Sequence, residues 1–293
     1  MEEIKNLKEF ATKRYGQNFL KDKAVLEKIV EAIPKKCQKI IEIGSGLGDL
    51  TKKLINIADV TAFEVDTRLC KILNSTFSRE IESGRLELEC GDVLKYWERN
   101  GSLSSSDYCL IANLPYYIAT NIILRAFRDS RCQAILVMVQ REVAKKFSAK
   151  SGDRDFSALS VLSWSIGEAR VLFDVAPQSF IPTPKVTSSV ILITKRRSSQ
   201  DTKFEEFLRV AFSQPRKKLL KNLSLKYAKG HLLTLFKSLH IDSNIRPHQT
   251  EISVYQQLYK KLSEDKTDGR EQQKESRGAT EAEGASKEGK KFQ

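Results

Sequence analysis

The first two thirds of the chain alternate between short strand-like runs and amphipathic helix-like runs. Five runs have the length and apolar pattern of sheet strands, and strands are predicted over residues 39–43, 60–65, 85–90, 108–112 and 134–139. Between them, Asp22 can cap a helix that Pro34 ends, a second helix is predicted from Asp49, and a third over 67–77. This alternation predicts a parallel sheet with helices on both faces.

Two more strand-like runs follow, over 169–175 and 186–194, and a loop that contains proline joins them. Because the connection is so short, we expect these strands to be antiparallel neighbours at one edge of the sheet. The predicted fold class is therefore α/β, with a mostly parallel, Rossmann-like sheet and an antiparallel hairpin at one edge.

The pattern changes near residue 198. Apolar residues with helical spacing, interleaved with bases, predict a small all-helical domain, and residues 200–263 carry twelve Lys or Arg against five Asp or Glu. Apolar residues are almost absent from 264 to 293, so we predict a disordered charged tail there. The predicted organisation is a sheet domain over 1–197, a basic helical domain over 198–263 and a tail over 264–293.

The composition limits the class of protein. The chain is 40% hydrophobic, but it contains no apolar run of the ~18 residues that a membrane span needs and no signal-peptide pattern, so we expect a cytoplasmic protein without a membrane partner. The formal net charge of +13 favours a polyanionic partner such as RNA. The five cysteines are scattered and predict buried reduced thiols, and the three histidines lack ligand spacing, so no metal site is predicted.

A glycine-rich turn, EIGSGLG over residues 42–48, joins the first predicted strand to the next helix. Its glycines, among them Gly44 and Gly46, allow a sharp turn and the close approach of a ligand. Glu64 ends the second strand, where a carboxylate can accept from ribose hydroxyls, and Asp92 follows the third, where it can accept from an adenine amine. The spacing differs from the Gly-x-Gly-x-x-Gly of NAD enzymes, so a dinucleotide stays an alternative. The lack of any hydride-transfer residues favours S-adenosylmethionine.

The residues Asn113, Leu114, Pro115 and Tyr116 directly follow the fourth strand. The Asn113 side-chain oxygen and the Leu114 carbonyl are two acceptors that match the two N–H donors of an exocyclic amine. The Tyr116 ring can stack on the base that carries the amine. An ordinary turn is the alternative, since Asn and Pro are turn formers. We predict that these four residues are catalytic and act on adenine N6.

With these motifs in place, the chain resembles the ribosomal RNA adenine dimethyltransferase family (KsgA/RsmA type) from about Tyr15 to Leu262. The motifs that carry the resemblance lie at residues 15–20, 42–48, 113–118, 140–144, 180–186 and 212–217. Tyr117 stands where some relatives carry Asn. The resemblance implies a class I methyltransferase sheet and dimethylation of N6 at two adjacent adenosines near the 3′ end of small-subunit rRNA. It also implies a role in small-subunit ribosome biogenesis, and we expect a monomer.

The cofactor-binding residues expected from the pattern and the resemblance are Gln17, Asn18, Leu20, Gly44, Gly46, Glu64, Asp92, Val93 and Asn113. Phe180 is expected to sandwich the target base together with Tyr116; a core aromatic under the proline loop is the alternative for Phe180. The residues expected to contact RNA phosphates are Arg216, Lys217, Lys218 and Lys221, with Lys195, Arg196 and Arg197 at the domain junction. A solvated helix face is the alternative for this basic cluster.

Four other functions remain open from the sequence. Two are enzymes with the same pocket, a DNA adenine methyltransferase and a large-subunit rRNA adenine methyltransferase. A third is a ribosome-assembly or transcription factor that keeps the fold and has lost catalysis. A nicotinamide oxidoreductase is the fourth.

Overall fold

The computed structural model describes residues 7–196 and 201–264. The chain divides into two compact units between Asp201 and Thr202. The predicted boundary at residue 197 lies outside the described residues, and so does the predicted tail over 264–293 except for Glu264, which ends the last described helix.

The first unit is built on a seven-stranded sheet with the strand order β4-β3-β2-β5-β6-β9-β7. Its strands are β2 (Lys39–Ile43), β3 (Asp59–Glu64), β4 (Leu86–Cys90), β5 (Tyr108–Asn113), β6 (Cys132–Gln140), β7 (Gly167–Val175) and β9 (Ser188–Lys195). The five strands from β2 to β6 are mutually parallel, whereas β9 runs antiparallel to both β6 and β7. The predicted α/β sheet with an antiparallel hairpin at one edge is confirmed.

Nine α-helices accompany the strands in the described part of this unit. They are α1 (Leu7–Phe10), α2 (Lys23–Glu31), α3 (Thr51–Leu54), α4 (Thr67–Thr76), α5 (Ser78–Glu82), α6 (Val93–Asn100), α7 (Ala119–Arg128), α8 (Arg141–Ser148) and α9 (Ala158–Ile166). Asp22 caps α2 as predicted, because its carboxylate accepts from the amides of Ala24 and Val25. The helix expected from Asp49 begins two residues later, at Thr51.

The central strands β5 and β6 explain why their sequences are continuously apolar. Tyr108, Leu110 and Ile111 on β5 are each at most 1% exposed, and so are Val137 and Val139 on β6. A parallel strand covered by helices on both faces buries every position and not alternate ones. This rigid centre holds the polar residues that follow β5.

A second, two-stranded sheet ties the N-terminal segment to the loop before β9. Strands β1 (Phe19–Leu20) and β8 (Phe180–Ile181) are antiparallel, with Leu20 opposite Phe180. The Lys21 amide also donates to the Ser179 carbonyl at 2.9 Å. Residues 19–21 are therefore fixed by a segment far along the chain.

The cysteines differ from the prediction of five reduced thiols. Disulfides join Cys37 to Cys109 and Cys70 to Cys90, and Cys132 is free and buried. The Cα atoms of the two pairs are 5.7 and 6.1 Å apart, within the usual span of a disulfide. The fold brings together cysteines that are scattered in the sequence, so spacing alone could not reveal the pairs.

The second unit is helical where it is described. Its helices are α10 (Thr202–Ala211), α11 (Leu219–Leu223), α12 (Lys229–Ser238) and a last helix over residues 252–264. Its core contains Phe207, Leu208, Leu219 and Tyr255, each at most 1% exposed. The side-chain amide of buried Asn222 donates to the carbonyls of residues 211 and 214, which fixes the loop between α10 and α11.

Candidate active site

A cavity of about 210 Å³ lies at the carboxyl ends of β2, β3, β4 and β5. Ligands of open α/β sheets bind at this edge of the sheet. The predicted residues that line it are Gln17, Asn18, Leu20, Gly44, Gly46, Glu64, Asp92, Val93, Asn113, Leu114, Pro115 and Tyr116. The fold thus brings every predicted cofactor-binding residue and every predicted catalytic residue to one site.

The glycine-rich turn forms one wall of the cavity. Its backbone has positive φ angles that residues other than glycine adopt only with strain. Gly44 and Gly46 have φ values of +76° and +61°. A Cβ atom on Gly46 would come within 3.3 Å of the Phe19 ring. The turn therefore leaves its backbone open toward the cavity, where a ligand can approach it closely.

Glu64 is held rigidly at the end of β3. One carboxylate oxygen accepts from the Gly46 amide at 2.8 Å, and the other accepts from the amides of Val65 and Asp66 at 2.9 Å each. Burial raises the pKa of Glu64, although these hydrogen bonds oppose the shift. A carboxylate offers about four lone-pair sites, so Glu64 can still accept from a ligand hydroxyl.

Asp92 caps α6 with a hydrogen bond from the Leu94 amide at 2.9 Å and is exposed toward the cavity. That bond uses one carboxylate oxygen, so the other can accept from an amine. Together, Glu64 and Asp92 give acceptors for the ribose hydroxyls and the amine of an adenosine group, and the glycine-rich turn leaves room beside them. These residues fit S-adenosylmethionine.

The orientation of the Asn113 amide follows from one contact. Its Nδ2 donates to the Asn18 carbonyl oxygen at 3.2 Å. Because the amide nitrogen is engaged there, Oδ1 points the other way and can accept from a substrate amine. The Leu114 amide donates to the Met138 carbonyl at 3.1 Å, which anchors the same turn to β6.

The N-terminal segment is anchored over the cavity by contacts that the sequence had not indicated. Gln17 accepts from the Thr12 amide at 2.7 Å and donates to Asp66 at 3.0 Å. Arg68 pairs with Asp66 at 2.7 Å and also contacts Thr12. The Arg68 hydrogen bond is the main reason why the pKa of Asp66 falls to about 2. Gln17 therefore both lines the cavity and supports its outer wall.

A family model described as ribosomal RNA adenine dimethylase matches residues 9–264. The chain belongs to this family.

Two curated relatives carry the name ribosomal RNA small subunit methyltransferase A. The protein of Sulfurimonas denitrificans is 54% identical over 250 residues, which cover 85% of this chain and 93% of the relative. The protein of Aliarcobacter butzleri is 50% identical over 264 residues, 89% of this chain and 98% of the relative. A solved dimethyladenosine transferase from Plasmodium falciparum, 23% identical, has a TM-score of 0.71 over 84% of this chain and 98% of that one. The similarity to this solved structure shows that the two proteins share the class I methyltransferase fold.

The dimethylase also has a buried acid in its cavity that the sequence analysis did not assign. Glu42 is 2% exposed at the end of β2 and accepts from the Thr51 hydroxyl at 2.6 Å. Burial raises the pKa of Glu42 to about 7. Its position two residues before Gly44, at the end of a buried strand, was the available signal.

Tyr116 and Phe180 are placed differently in the dimethylase. Tyr116 is half-buried, lines the cavity, and hydrogen-bonds through its hydroxyl to the Ser188 hydroxyl at 2.7 Å. Phe180 is 1% exposed and packs in the hydrophobic core, because the β1–β8 pairing turns its ring inward. Phe180 is therefore a core aromatic in this conformation, and the expected sandwich of the base is not formed here.

The predicted phosphate contacts that the structure describes, Arg196 among them, are exposed with one exception, and Arg197 lies outside the described residues. Arg216, Lys217, Lys218 and Lys221 all lie at the surface of the helical unit of the dimethylase. Lys195 is 7% exposed, and its ammonium group donates to the carbonyls of Ala126 and Asp129 at 2.6 Å each. The prediction that Lys195 contacts RNA is wrong, because the backbone of the first unit already binds its charge.

Residues 7–196 and 201–264 of the dimethylase contain no group of three or more His, Cys, Asp or Glu that could hold a metal ion. In the same part of the chain, no helix has the length and apolar character required to cross a bilayer.

Proposed function

We propose that this dimethylase transfers methyl groups to N6 of two adjacent adenosines near the 3′ end of small-subunit rRNA. The names of the relatives at 50–54% identity support the choice of substrate. The orientation of Asn113 carries the chemical part of the proposal, because Nδ2 is held by the Asn18 carbonyl and Oδ1 is left to accept from an incoming amine. S-adenosylmethionine supplies the reactive methyl group on its sulfonium.

The chain's own residues hold and activate the adenine. The amine is a poor nucleophile because its lone pair is delocalised into the ring. Asn113 Oδ1 and the Leu114 carbonyl accept hydrogen bonds from its two N–H groups and favour a pyramidal nitrogen whose lone pair is free to attack. As the nitrogen becomes cationic, these two acceptor dipoles stabilise it, and one of its two protons then leaves to solvent to give the neutral methylated amine. Placing the amine correctly can supply several kcal/mol of the barrier, up to ~7–11 kcal/mol in favourable systems.

The target adenine must leave its stack to reach this site. Tyr116 offers a ring at the cavity wall on which the base can stack, a contact worth ~1–3 kcal/mol. After the first methylation only one N–H remains, so the base must then be held more by the ring than by the two acceptors. We therefore assign Tyr116 a larger part in the second step than in the first.

The exposed bases of the helical unit extend the proposal to RNA binding. Arg216, Lys217, Lys218 and Lys221 are exposed on or beside α11, and the buried Asn222 fixes the loop that carries the first three. We propose that they contact phosphates. Because one chain supplies the whole cavity and the substrate is ribosomal RNA, we also propose that the protein acts as a monomer in the cytoplasm.

Incubation of the full chain with methyl-labelled cofactor and unmodified small subunits tests the function. Mass spectrometry of the nucleosides should show dimethyladenosine at two adjacent positions near the 3′ end of the RNA. Label in large-subunit RNA or in DNA would redirect the proposal to those substrates. Cofactor binding without any product would support an assembly factor.

The variant Asn113→Ala tests the mechanism. Both methylations should be lost while the cofactor-free fold is kept, because the side-chain acceptor is gone. Asn56→Ala is the matched control, since the Asn56 amide donates to a backbone carbonyl at 3.1 Å on an exposed helix end and should not affect turnover. A near-normal rate for Asn113→Ala would remove the mechanism.

A further inference from the structure

The hydroxyl of Tyr116 is bound by a serine that does not line the cavity. Ser188 is fully buried at the first position of β9, and its Oγ lies 2.7 Å from the Tyr116 hydroxyl. The cavity is lined by Tyr116 but not by Ser188. Any effect of Ser188 on a bound base must therefore pass through the tyrosine.

Ser188 is fixed on both sides by the sheet. It stands opposite Gln140 on β6 and Val175 on β7, so pairing with two strands fixes its backbone and the direction of its Cβ atom. Tyr116, by contrast, follows Pro115 in a turn outside the sheet. The hydrogen bond thus connects a tyrosine in a loop to a serine whose backbone is fixed in the sheet. A tyrosine has two side-chain torsions, and a contact at its hydroxyl restricts both.

The surroundings make this hydrogen bond costly to lose. The Tyr116 side chain is half-buried, and burial raises the pKa of its hydroxyl. A hydroxyl in such a place that lacks its partner pays a desolvation penalty, or the ring turns until water can reach it. Either result changes the plane that the ring presents to the cavity.

We infer that Ser188 is a positioning residue of the methyl-transfer site and acts by fixing the ring plane of Tyr116 for the flipped adenine. The inference rests on the proposed role of Tyr116 as the surface on which the base stacks. The effect of losing the Ser188 hydroxyl should be larger on the second methylation, when the monomethylated amine has only one N–H left for the two acceptors. Orientation by the ring then replaces orientation by hydrogen bonds.

The chain provides a matched control in the next residue. Ser189 is also fully buried on β9, but its hydroxyl donates to Asp174 on β7 at 2.6 Å. Ser189→Ala therefore removes a buried serine hydroxyl from the same strand without affecting Tyr116. Comparing the two serine variants separates positioning from a general loss of sheet stability.

The experiment is steady-state methylation of unmodified small subunits by four full-length variants, Ser188→Ala, Tyr116→Phe, the double variant and Ser189→Ala. The two single variants that break the bond should each lower kcat/KM for RNA by about threefold to tenfold, the usual worth of one hydrogen bond. Both should release more monomethyladenosine relative to dimethyladenosine. The affinity for S-adenosylmethionine, measured by calorimetry, should not change, and Ser189→Ala should resemble the parent.

The double variant decides whether the two groups act through one bond. Since Ser188→Ala and Tyr116→Phe delete the same interaction, the double variant should be no worse than either single variant. The inference would be overturned if the losses in kcat/KM of the two single variants multiplied in the double variant. It would also be overturned if Ser188→Ala gave the same ratio of monomethyladenosine to dimethyladenosine as Ser189→Ala. If Ser188→Ala folds poorly, Tyr116→Phe removes the bond from the other side and keeps the test decisive.

Tyr116→Ala distinguishes failure of the inference from failure of the proposed function. A normal rate for Tyr116→Ala would remove the stacking role itself and with it the inference. A slow Tyr116→Ala combined with a Ser188→Ala enzyme that matches Ser189→Ala would leave the stacking role intact and remove only the part played by Ser188.

Discussion

The buried carboxyl of Glu42 makes the stability of the dimethylase depend on pH in a direction that can be worked out. Its pKa is about 7 in the folded chain against an ordinary value of 4.5. The unfolded chain therefore releases this proton at lower pH than the folded chain does. The contribution of Glu42 to the free energy of unfolding is therefore fully present below about pH 4.5. It is lost as the pH rises through about 7, and the total loss is about 3 kcal/mol.

The variant Glu42→Gln isolates this contribution. Glutamine keeps the shape and can still accept from the Thr51 hydroxyl, but it does not titrate. Urea unfolding of both proteins at pH 5, 6, 7 and 8, followed by circular dichroism, gives the free energy of unfolding at each pH. The parent should lose stability relative to the variant by about 1 kcal/mol for each pH unit between 5 and 7 and then level off.

The same titration should appear in cofactor binding. S-adenosylmethionine is cationic at its sulfonium and its amine, so an ionised Glu42 in the cavity favours it. The affinity of the parent should rise between pH 6 and 8, whereas that of Glu42→Gln should rise less. A stability difference between the two proteins that is constant from pH 5 to 8 would refute the reasoning, because Glu42 would then not be protonated in the folded chain near neutral pH.

Three further predictions concern packing and RNA binding. Gly48→Ala should destabilise the chain by about 2–4 kcal/mol in urea unfolding, because φ is +85° and the new Cβ would lie 2.5 Å from the Phe77 ring. Phe180→Ala should cost about 3–5 kcal/mol of unfolding free energy, since the ring is buried, and should leave the KM for RNA of the folded enzyme unchanged. Replacing all four exposed bases of the helical unit by Gln should reduce the slope of log affinity against log salt by about 3, measured by fluorescence anisotropy with an RNA fragment. Those four bases are Arg216, Lys217, Lys218 and Lys221.

Each of these has its own control. Gly84 has φ +75° but open space around its Cβ position, so Gly84→Ala should cost only about 1 kcal/mol. A stable Phe180→Ala enzyme with a raised KM for RNA would show that the ring leaves the core to stack. Replacing the exposed Lys35 and Lys36 of the first unit by Gln should leave the salt slope unchanged. If it lowers the slope as much as the four-base variant does, the assignment to the helical unit fails.

Most of the fold was predictable because parallel strands covered on both faces are apolar throughout. The strand over Lys39–Ile43 has the predicted bounds, and β3 to β6 differ from prediction by one or two residues at their ends. The cavity was predictable for the same reason. Glu64 and Asn113 are polar residues at the ends of buried strands, where few explanations other than a ligand account for them.

The remaining features depend on long-range contacts that leave no periodic pattern. Strands β1 and β8 have only two residues each, so their pairing and the inward turn of Phe180 were not visible. The partnership of Ser188 with Tyr116 and the two disulfides likewise join residues that only the sheet order brings together. In the case of Lys195, a positive charge next to a basic segment was interpreted as an RNA contact, whereas two carbonyls of its own unit bind it.

The short β1–β8 pairing has a consequence for biosynthesis. Leu20 and Phe180 are about 160 positions apart. A nascent chain therefore cannot pair strand β1 with strand β8 until residue 181 has left the ribosome. The core strands from β2 to β6 can associate earlier, but they would form a site with one wall missing. We therefore expect a truncated chain that ends before residue 180 to be unable to retain S-adenosylmethionine, even though it contains every residue that faces the cavity.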